Sequence, residues 1–213
     1  MSTNARISIG IAAAFAVVVA VLIATSNRTT DDTPAAAPDR VVRADSHRLG
    51  TAADGKVTFV EFLDFECEAC GAAYPAVEKL RKDYAGKVTF VVRYFPIPSH
   101  FNAERAARAA EAAAGQGKFE AMYQKMYETQ TEWAEQQMPA DARFRSYAEA
   151  LGLDVAAWDK AYNDPATLDR IRKDVVDGKE VGVTGTPTFF LNGTKLEPKS
   201  VDDLTASIDA ALE

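Results

Sequence analysis

The sequence predicts an α/β fold in which a βαβ unit and a ββα unit flank an inserted all-helical subdomain. Two nearly uninterrupted apolar runs, 56–65 and 87–95, enclose one helical pattern, which is typical of parallel strands joined by a crossover helix. A long series of helical patterns then occupies about 98–182. Strand character returns after it and precedes a last helix, which gives the second unit.

The chain begins with an apolar segment that we expect to lie outside this fold. Residues 1–6 contain Arg6, and 7–24 form an uncharged run of mostly Ala, Val, Ile and Leu. As a helix this run spans about 27 Å, close to the ~30 Å hydrocarbon thickness of a bilayer. With Arg6 on the cytoplasmic side, it predicts a single-pass anchor and an extracytoplasmic domain. The alternative is a signal peptide cleaved near Ala24, which would leave a secreted protein.

Composition and charge indicate one ordinary globular domain after this segment. The 11 Phe, 7 Tyr and 2 Trp can fill a core, and two cysteines are too few for a disulfide-stapled mini-protein. The net charge is −7, and the domain is more acidic still, since the first thirty residues carry two arginines and no acid. Such a surface repels phosphate, so we expect no nucleic-acid partner. We predict a flexible tether at 25–40 and a monomeric folded domain at 41–213.

The first unit has three elements. Residues 56–65 are rich in β-branched and aromatic side chains, as in a strand that is buried on both faces. Residues 68–84 place apolar side chains at helical spacing, and Gly86 follows as a helix stop. Residues 87–95 repeat the buried-strand signature and end at Pro96.

The insertion and the second unit follow the same rules. Helical patterns occur at 103–114, 118–128, 141–151, 155–162 and 165–180. The last of these opens on a proline, which suits a first helical position. Residues 188–191 return to strand character, an Asn-Gly dipeptide is a hairpin signal, and 195–196 begin the partner strand. Ser200 then caps the closing helix, which ends near Leu212.

The segment Cys67-Glu68-Ala69-Cys70 lies where the first buried strand meets the following helix. A cysteine at a helix N-terminus is near unpaired N–H groups and the positive end of the helix dipole, which stabilise its thiolate. The second sulfur lies one turn away, within reach for a disulfide. A structural zinc site and an inert structural disulfide are the alternatives; the first lacks further ligands, and the second closes too short a loop to stabilise much.

Three further motifs accompany the cysteine pair. They are Arg93-Tyr94-Phe95-Pro96, Asn102-Ala103 and Gly185-Thr186-Pro187-Thr188-Phe189-Phe190. With the segment 62–71 and the helical insertion, they resemble the thioredoxin-fold DsbA family in its single-anchor form from Gram-positive bacteria and their relatives. The resemblance covers nearly all of 41–213 and implies a thioredoxin fold.

The resemblance implies an activity and its partners. A Cys67–Cys70 redox pair would introduce disulfides into exported proteins that carry free thiols, without metal or further cofactor. A membrane protein that passes electrons to quinone would reoxidise the pair. The same chemistry run as an isomerase or reductase is one alternative, although the short tether leaves no room for the dimerisation domain of family isomerases. A non-catalytic, chaperone-like binding module with a static disulfide is another.

The resemblance also implies a substrate-binding surface beside the cysteines. Thr186-Pro187 matches the family's cis-proline loop, which pairs with an extended substrate segment by strand addition. Glu68 and Ala69 lie between the cysteines and would face the same substrate. From the residues alone, Pro187 fits an ordinary trans proline before a strand equally well.

One acid and one departure concern the redox chemistry. Glu61 matches the family's buried acid that exchanges protons with the second cysteine; a solvent-facing carboxylate is the alternative. The lysine that pairs with this acid in the family is missing, since Thr89 and Val91 stand in the matching region. Glu68-Ala69 replaces the Pro-His of the strongest oxidants, so we expect a lower reduction potential than theirs. His47 and His100 are expected at the surface or as caps.

Overall fold

The computed structural model describes residues 38–213, which form a five-stranded sheet with helices on both faces. The strands are β1 (His47–Gly50), β2 (Thr58–Leu63), β3 (Thr89–Tyr94), β4 (Thr188–Leu191) and β5 (Thr194–Lys195). Their order is β1-β3-β2-β4-β5; β2 and β3 are parallel, and the other neighbours are antiparallel. The predicted α/β class and the βαβ and ββα units are confirmed.

The helices follow the predicted order. They are α1 (Pro38–Val41), α2 (Glu68–Asp83), α3 (Ala103–Ala114), α4 (Phe119–Glu128), α5 (Asp141–Ala150), α6 (Val155–Asn163), α7 (Pro165–Glu180) and α8 (Val201–Leu212), with a 3-10 helix at Gln130–Glu132. The predicted helix boundaries agree to within two residues. At the hairpin, Asn192 has a φ of 49° and Gly193 a φ of 83°, as an Asn-Gly turn requires.

Several predictions for the N-terminal region lie outside the described residues. These are the cytoplasmic segment 1–6, the apolar segment 7–24 and the tether 25–40 up to residue 37. Helix α1 begins at Pro38, inside the range predicted as tether, and packs against α7. Within 38–213 no helix is long and apolar enough to cross a bilayer.

Strand β2 is buried on both faces because its alternate residues contact two different cores. Phe59 and Leu63 belong to the larger core, which includes α2 and the helical insertion. Val60 and Phe62 belong to a smaller core on the opposite face of the sheet. Successive side chains of a strand point to opposite faces, so Glu61 shares the face of Phe59 and Leu63. Its carboxyl group is therefore directed toward the side of α2.

The insertion packs around α3, whose small side chains allow close approach. Seven alanines of this helix are buried, and α4, α5, α6 and α7 all contact it. Trp133 and Trp158 are 1% exposed, which confirms the prediction that they pack the insertion. The end of α4 and the following 3-10 helix thereby reach the sheet near the first turn of α2.

A buried ion-pair network joins β3, α7 and α1. The guanidinium of Arg93 is fully buried and donates to Asp174 and Asp177 of α7, both at 2.7 Å. Its Nη1 also donates to the carbonyl oxygens of Arg40 and Val41, at 2.8 and 2.7 Å. The arginine of the Arg-Tyr-Phe-Pro motif thus stabilises the sheet face opposite the cysteines.

Candidate active site

The two cysteines lie at the N-terminus of α2 and differ in accessibility. Cys67 is the N-cap residue, with extended backbone angles of φ −66° and ψ 121°, and its side chain is partly exposed. Cys70 lies in the first turn of α2 and is completely buried. Both thiols are free in this structure. An external thiol or disulfide can therefore approach the sulfur of Cys67, whereas that of Cys70 is reached only through Cys67.

The surroundings of Cys67 favour its thiolate. Its pKa is lowered to about 5, chiefly by a hydrogen bond with Cys70. A hydrogen bond with the Thr186 side chain and the backbone N–H groups of Cys70 and Ala69 lower the pKa further, against the effect of partial burial. These N–H groups belong to the first turn of α2, where the sequence predicted unpaired donors.

The pKa of Cys70 moves in the opposite direction. Burial raises it well above its usual range, and the hydrogen bond with Cys67 and the negative charge of Glu61 raise it further. At neutral pH the pair therefore consists of a Cys67 thiolate and a Cys70 thiol. This asymmetry makes Cys67 the nucleophile and leaves Cys70 as a protonated partner that donates to it.

The Thr186-Pro187 loop lies against the nucleophilic sulfur. The peptide bond between these residues is cis, as the family resemblance implied. In the thiol form, Sγ of Cys67 donates to the carbonyl oxygen of Thr186 at 3.3 Å. The Thr186 hydroxyl is buried and has no hydrogen-bond partner within the described structure, so it is available to the thiolate. Glu68 and Ala69 are exposed beside this contact, on the side that a substrate would approach.

Glu61 is buried near the cysteines and not solvent-facing. It is 4% exposed, and its pKa is raised to about 8 by burial, followed by the negative charges of Glu78 and Cys67. Its neighbours across the sheet are Val92 on β3 and Phe189 on β4. A carboxyl group with such a pKa is mostly protonated at neutral pH and can give or take a proton there.

Asp64 and His100 support the cysteine loop, and the sequence had assigned neither a role. Asp64 is 2% exposed and accepts hydrogen bonds from the backbone N–H of Glu66 at 2.8 Å and of Ile97 at 2.9 Å. His100 is 2.7 Å from the same carboxylate. Burial lowers the pKa of His100, but the hydrogen bond and charge of Asp64 outweigh this and raise it. An acid inside an otherwise apolar strand end was the available signal.

The expectation that both histidines are surface or capping residues is wrong. His100 is half-buried in its ion pair with Asp64. His47 is half-buried on β1, where its ring stacks on Phe119 at 4.0 Å between centroids and Nε2 lies 2.6 Å from Glu111. Each histidine thus faces a carboxylate from another part of the chain, which local sequence does not reveal.

The Asn102-Ala103 motif also contacts the site. The buried carboxylate of Glu66, next to Cys67, accepts the backbone N–H of Asn102 and that of Glu135, the latter at 3.1 Å. The Asn102 side chain holds the same loop through the N–H of Ala140 at 3.0 Å. This explains why an acid precedes the first cysteine: it anchors a loop of the insertion beside the site.

Metal-ligand groups were searched for within 38–213. No set of three or more His, Cys, Asp or Glu side chains in this range has the arrangement of a metal site. The arrangement of the cysteines, with one exposed thiolate against a cis-proline loop, suits thiol–disulfide exchange.

Comparison with known families agrees with this arrangement. A family model described as thioredoxin matches residues 44–210, which is more than half of the chain. The chain belongs to the thioredoxin family. The match extends over the sheet, the cysteine pair, the helical insertion and most of α8.

Solved structures resemble this thioredoxin-family chain over most of its length. A thioredoxin-like oxidoreductase from Silicibacter pomeroyi DSS-3 is 26% identical, with a TM-score of 0.67, over 81% of this chain and 96% of that one. Two others are 20% identical: α-DsbA1 from Wolbachia pipientis (TM-score 0.70, 81% and 93%) and BdbD from Bacillus subtilis (0.69, 76% and 91%). The expected DsbA-like thioredoxin fold is confirmed.

Curated relatives carry a different name. The Na(+)/H(+) antiporter NhaA 3 of Salinispora tropica is 40% identical over 160 residues, which are 74% of this chain and 24% of that protein. The Na(+)/H(+) antiporter NhaA 1 of Mycobacterium sp. (strain KMS) is 35% identical over 147 residues, 67% and 23% respectively. The thioredoxin-family chain thus spans about a quarter of the length of the curated relatives it matches. The antiporter name describes those longer proteins.

Proposed function

We propose that this protein is an extracytoplasmic thiol:disulfide oxidoreductase that introduces disulfide bonds into exported proteins through Cys67 and Cys70. The observation that carries the proposal is the position of the Cys67 sulfur. It is partly exposed, ionises at a low pH, and lies 3.3 Å from the carbonyl oxygen of Thr186, next to Pro187. A client segment paired along this loop would bring its thiol to the one accessible sulfur.

The reaction begins from the Cys67–Cys70 disulfide. A client thiolate attacks Sγ of Cys67; the new sulfur–sulfur bond forms as the old one breaks, and Cys70 leaves with the electron pair. Cys70 then takes a proton, for which the buried carboxyl of Glu61 is the nearby source. A second client thiolate attacks the client sulfur of the mixed disulfide and releases the Cys67 thiolate. The client is oxidised by two electrons, and the enzyme becomes a dithiol.

The thiolate of Cys67 supports the oxidising direction. A stabilised dithiol form makes the disulfide a better oxidant. The pKa of about 5 lies between roughly 7 for thioredoxin and roughly 3.5 for DsbA. This order agrees with the lower potential expected from Glu68-Ala69 in place of Pro-His. Isomerase or reductase activity at the same site remains the competing proposal.

The proposed cycle needs a membrane partner. Each client leaves two electrons on the enzyme, and a quinone-linked membrane protein of the kind found in the family would remove them. The segment 7–24, as a membrane helix, would hold the domain close to such a partner. These assignments extend the family resemblance to residues outside the described structure.

Two variants test the proposal directly. The wild type should oxidise a reduced, unfolded client, and Cys67→Ala should abolish this activity because it removes the nucleophile. Cys70→Ala keeps the nucleophile but removes the resolving thiol, so mixed disulfides with clients should accumulate on Cys67. Full activity of Cys67→Ala would refute a redox role for the pair and favour a binding module.

Thiol trapping in cells separates the directions of electron flow. Acid quenching followed by alkylation measures the fraction of Cys67–Cys70 in the disulfide form. An oxidase should be found mostly as the disulfide, since its partner reoxidises it. A pool that is mostly dithiol would overturn the oxidase and leave the isomerase or reductase.

A further inference from the structure

The helical insertion reaches the cysteine loop through one amide side chain, that of Gln130. This residue opens the 3-10 helix after α4 and is 8% exposed. Its Nε2 donates to the carbonyl oxygen of Phe65 at 2.8 Å and to that of Cys67 at 2.9 Å. One NH2 group therefore holds the loop at two points, before the first cysteine and at that cysteine itself.

Gly71 is the residue that makes room for this amide. It follows Cys70 within α2, so its backbone is helical and does not itself require glycine. A Cβ atom at this position would lie 1.8 Å from Oε1 of Gln130 and 2.7 Å from its Cδ. Any larger residue would displace the amide from both carbonyls. The glycine is thus required by the approach of Gln130.

The carbonyl of Cys67 matters because it belongs to the first turn of α2. It also accepts the N–H of Gly71 at 3.0 Å, the first backbone hydrogen bond of the helix. The same turn carries the N–H groups of Ala69 and Cys70 that stabilise the thiolate. Hydrogen bonds weaken steeply with misalignment, so the orientation of this turn controls that stabilisation.

We propose that Gln130, in the space left by Gly71, is a positioning residue that fixes the first turn of α2 so that its N–H groups face the Cys67 sulfur. The inference rests on the proposed redox function and adds a role for the helical insertion. The competing explanation is packing alone, in which Gln130 attaches the insertion to the sheet without affecting the thiol.

Substitutions at Gln130 separate the two explanations. Gln130→Ala removes both donors, and Gln130→Glu places a carboxylate near the thiolate, so both should raise the pKa of Cys67, the second more. The equilibrium constant with glutathione should change about tenfold toward a less oxidising pair, which corresponds to about 30 mV. The readouts are the thiolate absorbance against pH and the equilibrium with glutathione.

Gln136→Ala is the matched control. This glutamine also donates through Nε2 to a backbone carbonyl, that of Glu132 at 2.8 Å, but it is exposed. Its loss should leave the thiol pKa and the glutathione equilibrium unchanged. An equal shift in this control would overturn the assignment to Gln130.

Gly71→Ala tests the pairing without removing the amide. The added methyl group should displace Gln130 and reproduce the thiol shift of Gln130→Ala. In the double variant the methyl group occupies volume that Gln130 has vacated, so the two effects should be clearly less than additive. Fully additive effects would overturn the pairing of these residues.

The outcomes distinguish this inference from the proposed function. If Gln130→Ala and Gly71→Ala lower the melting temperature but leave the pKa of Cys67 unchanged, Gln130 is a packing residue and the inference fails. The pKa is measured on the protein alone. An inactive wild type whose pKa still shifts on Gln130→Ala would therefore refute the redox function and retain the positioning role.

Discussion

Two cysteines only three positions apart have opposite acidities in this protein, because each meets a different part of the fold. The helix N-terminus that favours the Cys67 thiolate could be predicted from local sequence. The contribution of Thr186 could not, since it approaches across 119 positions of sequence. Burial of Cys70, which raises its pKa, depends on the packing of the whole insertion. Sequence therefore identifies the nucleophile, and tertiary structure sets its pKa.

Glu61 gives a prediction with two readouts. Its pKa of about 8 in the folded state is far above the value near 4.3 expected in the unfolded chain. The folded state keeps this proton while the unfolded state releases it, so the free energy of unfolding should fall as pH rises from about 4.3 to 8. Glu61→Gln has no such proton and should lose less stability over this range. Denaturant unfolding of the disulfide form, in which neither cysteine titrates, measures this.

The same variant should slow client oxidation by about tenfold, less than the hundredfold or more of an obligatory general acid, because Cys70 can also leave as a thiolate. Stopped-flow mixing of the disulfide form with a thiol peptide gives the rate constant. Equal pH profiles of stability for wild type and variant would show that Glu61 ionises freely in the folded protein. An unchanged rate would remove it from the proton path.

At the scale of elements, strong patterns were read correctly and one weak pattern was missed. Pro165 opens α7 as predicted, and Ser200 forms a capping box with Asp203 at the start of α8. Strand β1 was missed because its four residues include one leucine and pair only along the edge of β3. An edge strand of this kind is stabilised by its neighbour's backbone and carries little hydrophobic signal of its own.

Asp174 tests the connection between β3 and α7. Its carboxylate accepts hydrogen bonds from Nε of Arg93 at 2.7 Å and from the backbone N–H of Tyr94 at 3.0 Å. Asp174→Asn would leave the fully buried Arg93 without this counter-charge, so we expect a loss of about 3–5 kcal/mol in the free energy of unfolding. In a chain of this size that lowers the melting temperature by about 10 °C.

The matched control is an ion pair that lies in solvent. Glu149 pairs with Arg145 one turn away on α5, with both side chains about half exposed. Glu149→Gln should cost less than about 1 kcal/mol. Calorimetry of both variants measures the difference. Similar losses in the two would mean that burial of the Arg93 network does not determine its contribution.

At the scale of the whole molecule, sequence could give the order of elements and the site motif but not the contacts that join distant segments. The motif residues Asp64, Glu66 and Asn102 were visible, yet their hydrogen bonds connect positions 33 to 69 residues apart. Gln130 carried no motif, and its role follows only from its contacts with Phe65 and Cys67. Local patterns cannot specify such contacts, because they depend on how the insertion docks on the sheet.

The redox state should change the stability of the whole domain in a pH-dependent manner. In the dithiol form the pKa of Cys67 is about 5, against about 8.5 in the unfolded chain; in the disulfide form it does not titrate. The folded thiolate therefore stabilises the dithiol form increasingly as pH rises from 5 toward 8.5, and this contribution is lost as pH falls through 5. The titration of Glu61 occurs in both forms and largely cancels in their difference.

We therefore expect the melting temperature of the dithiol form, relative to the disulfide form, to rise between pH 5 and pH 8. The disulfide closes a very short loop and gains little from restricting the unfolded chain, so the dithiol form should be the more stable one by pH 8. Thermal unfolding with and without reductant across this range measures the difference. Cys67→Ser has no thiolate and no disulfide, so its melting temperature should be the same in both buffers. A pH-independent difference in the wild type would contradict a stabilised Cys67 thiolate, and with it the preference for the dithiol that makes the protein an oxidant.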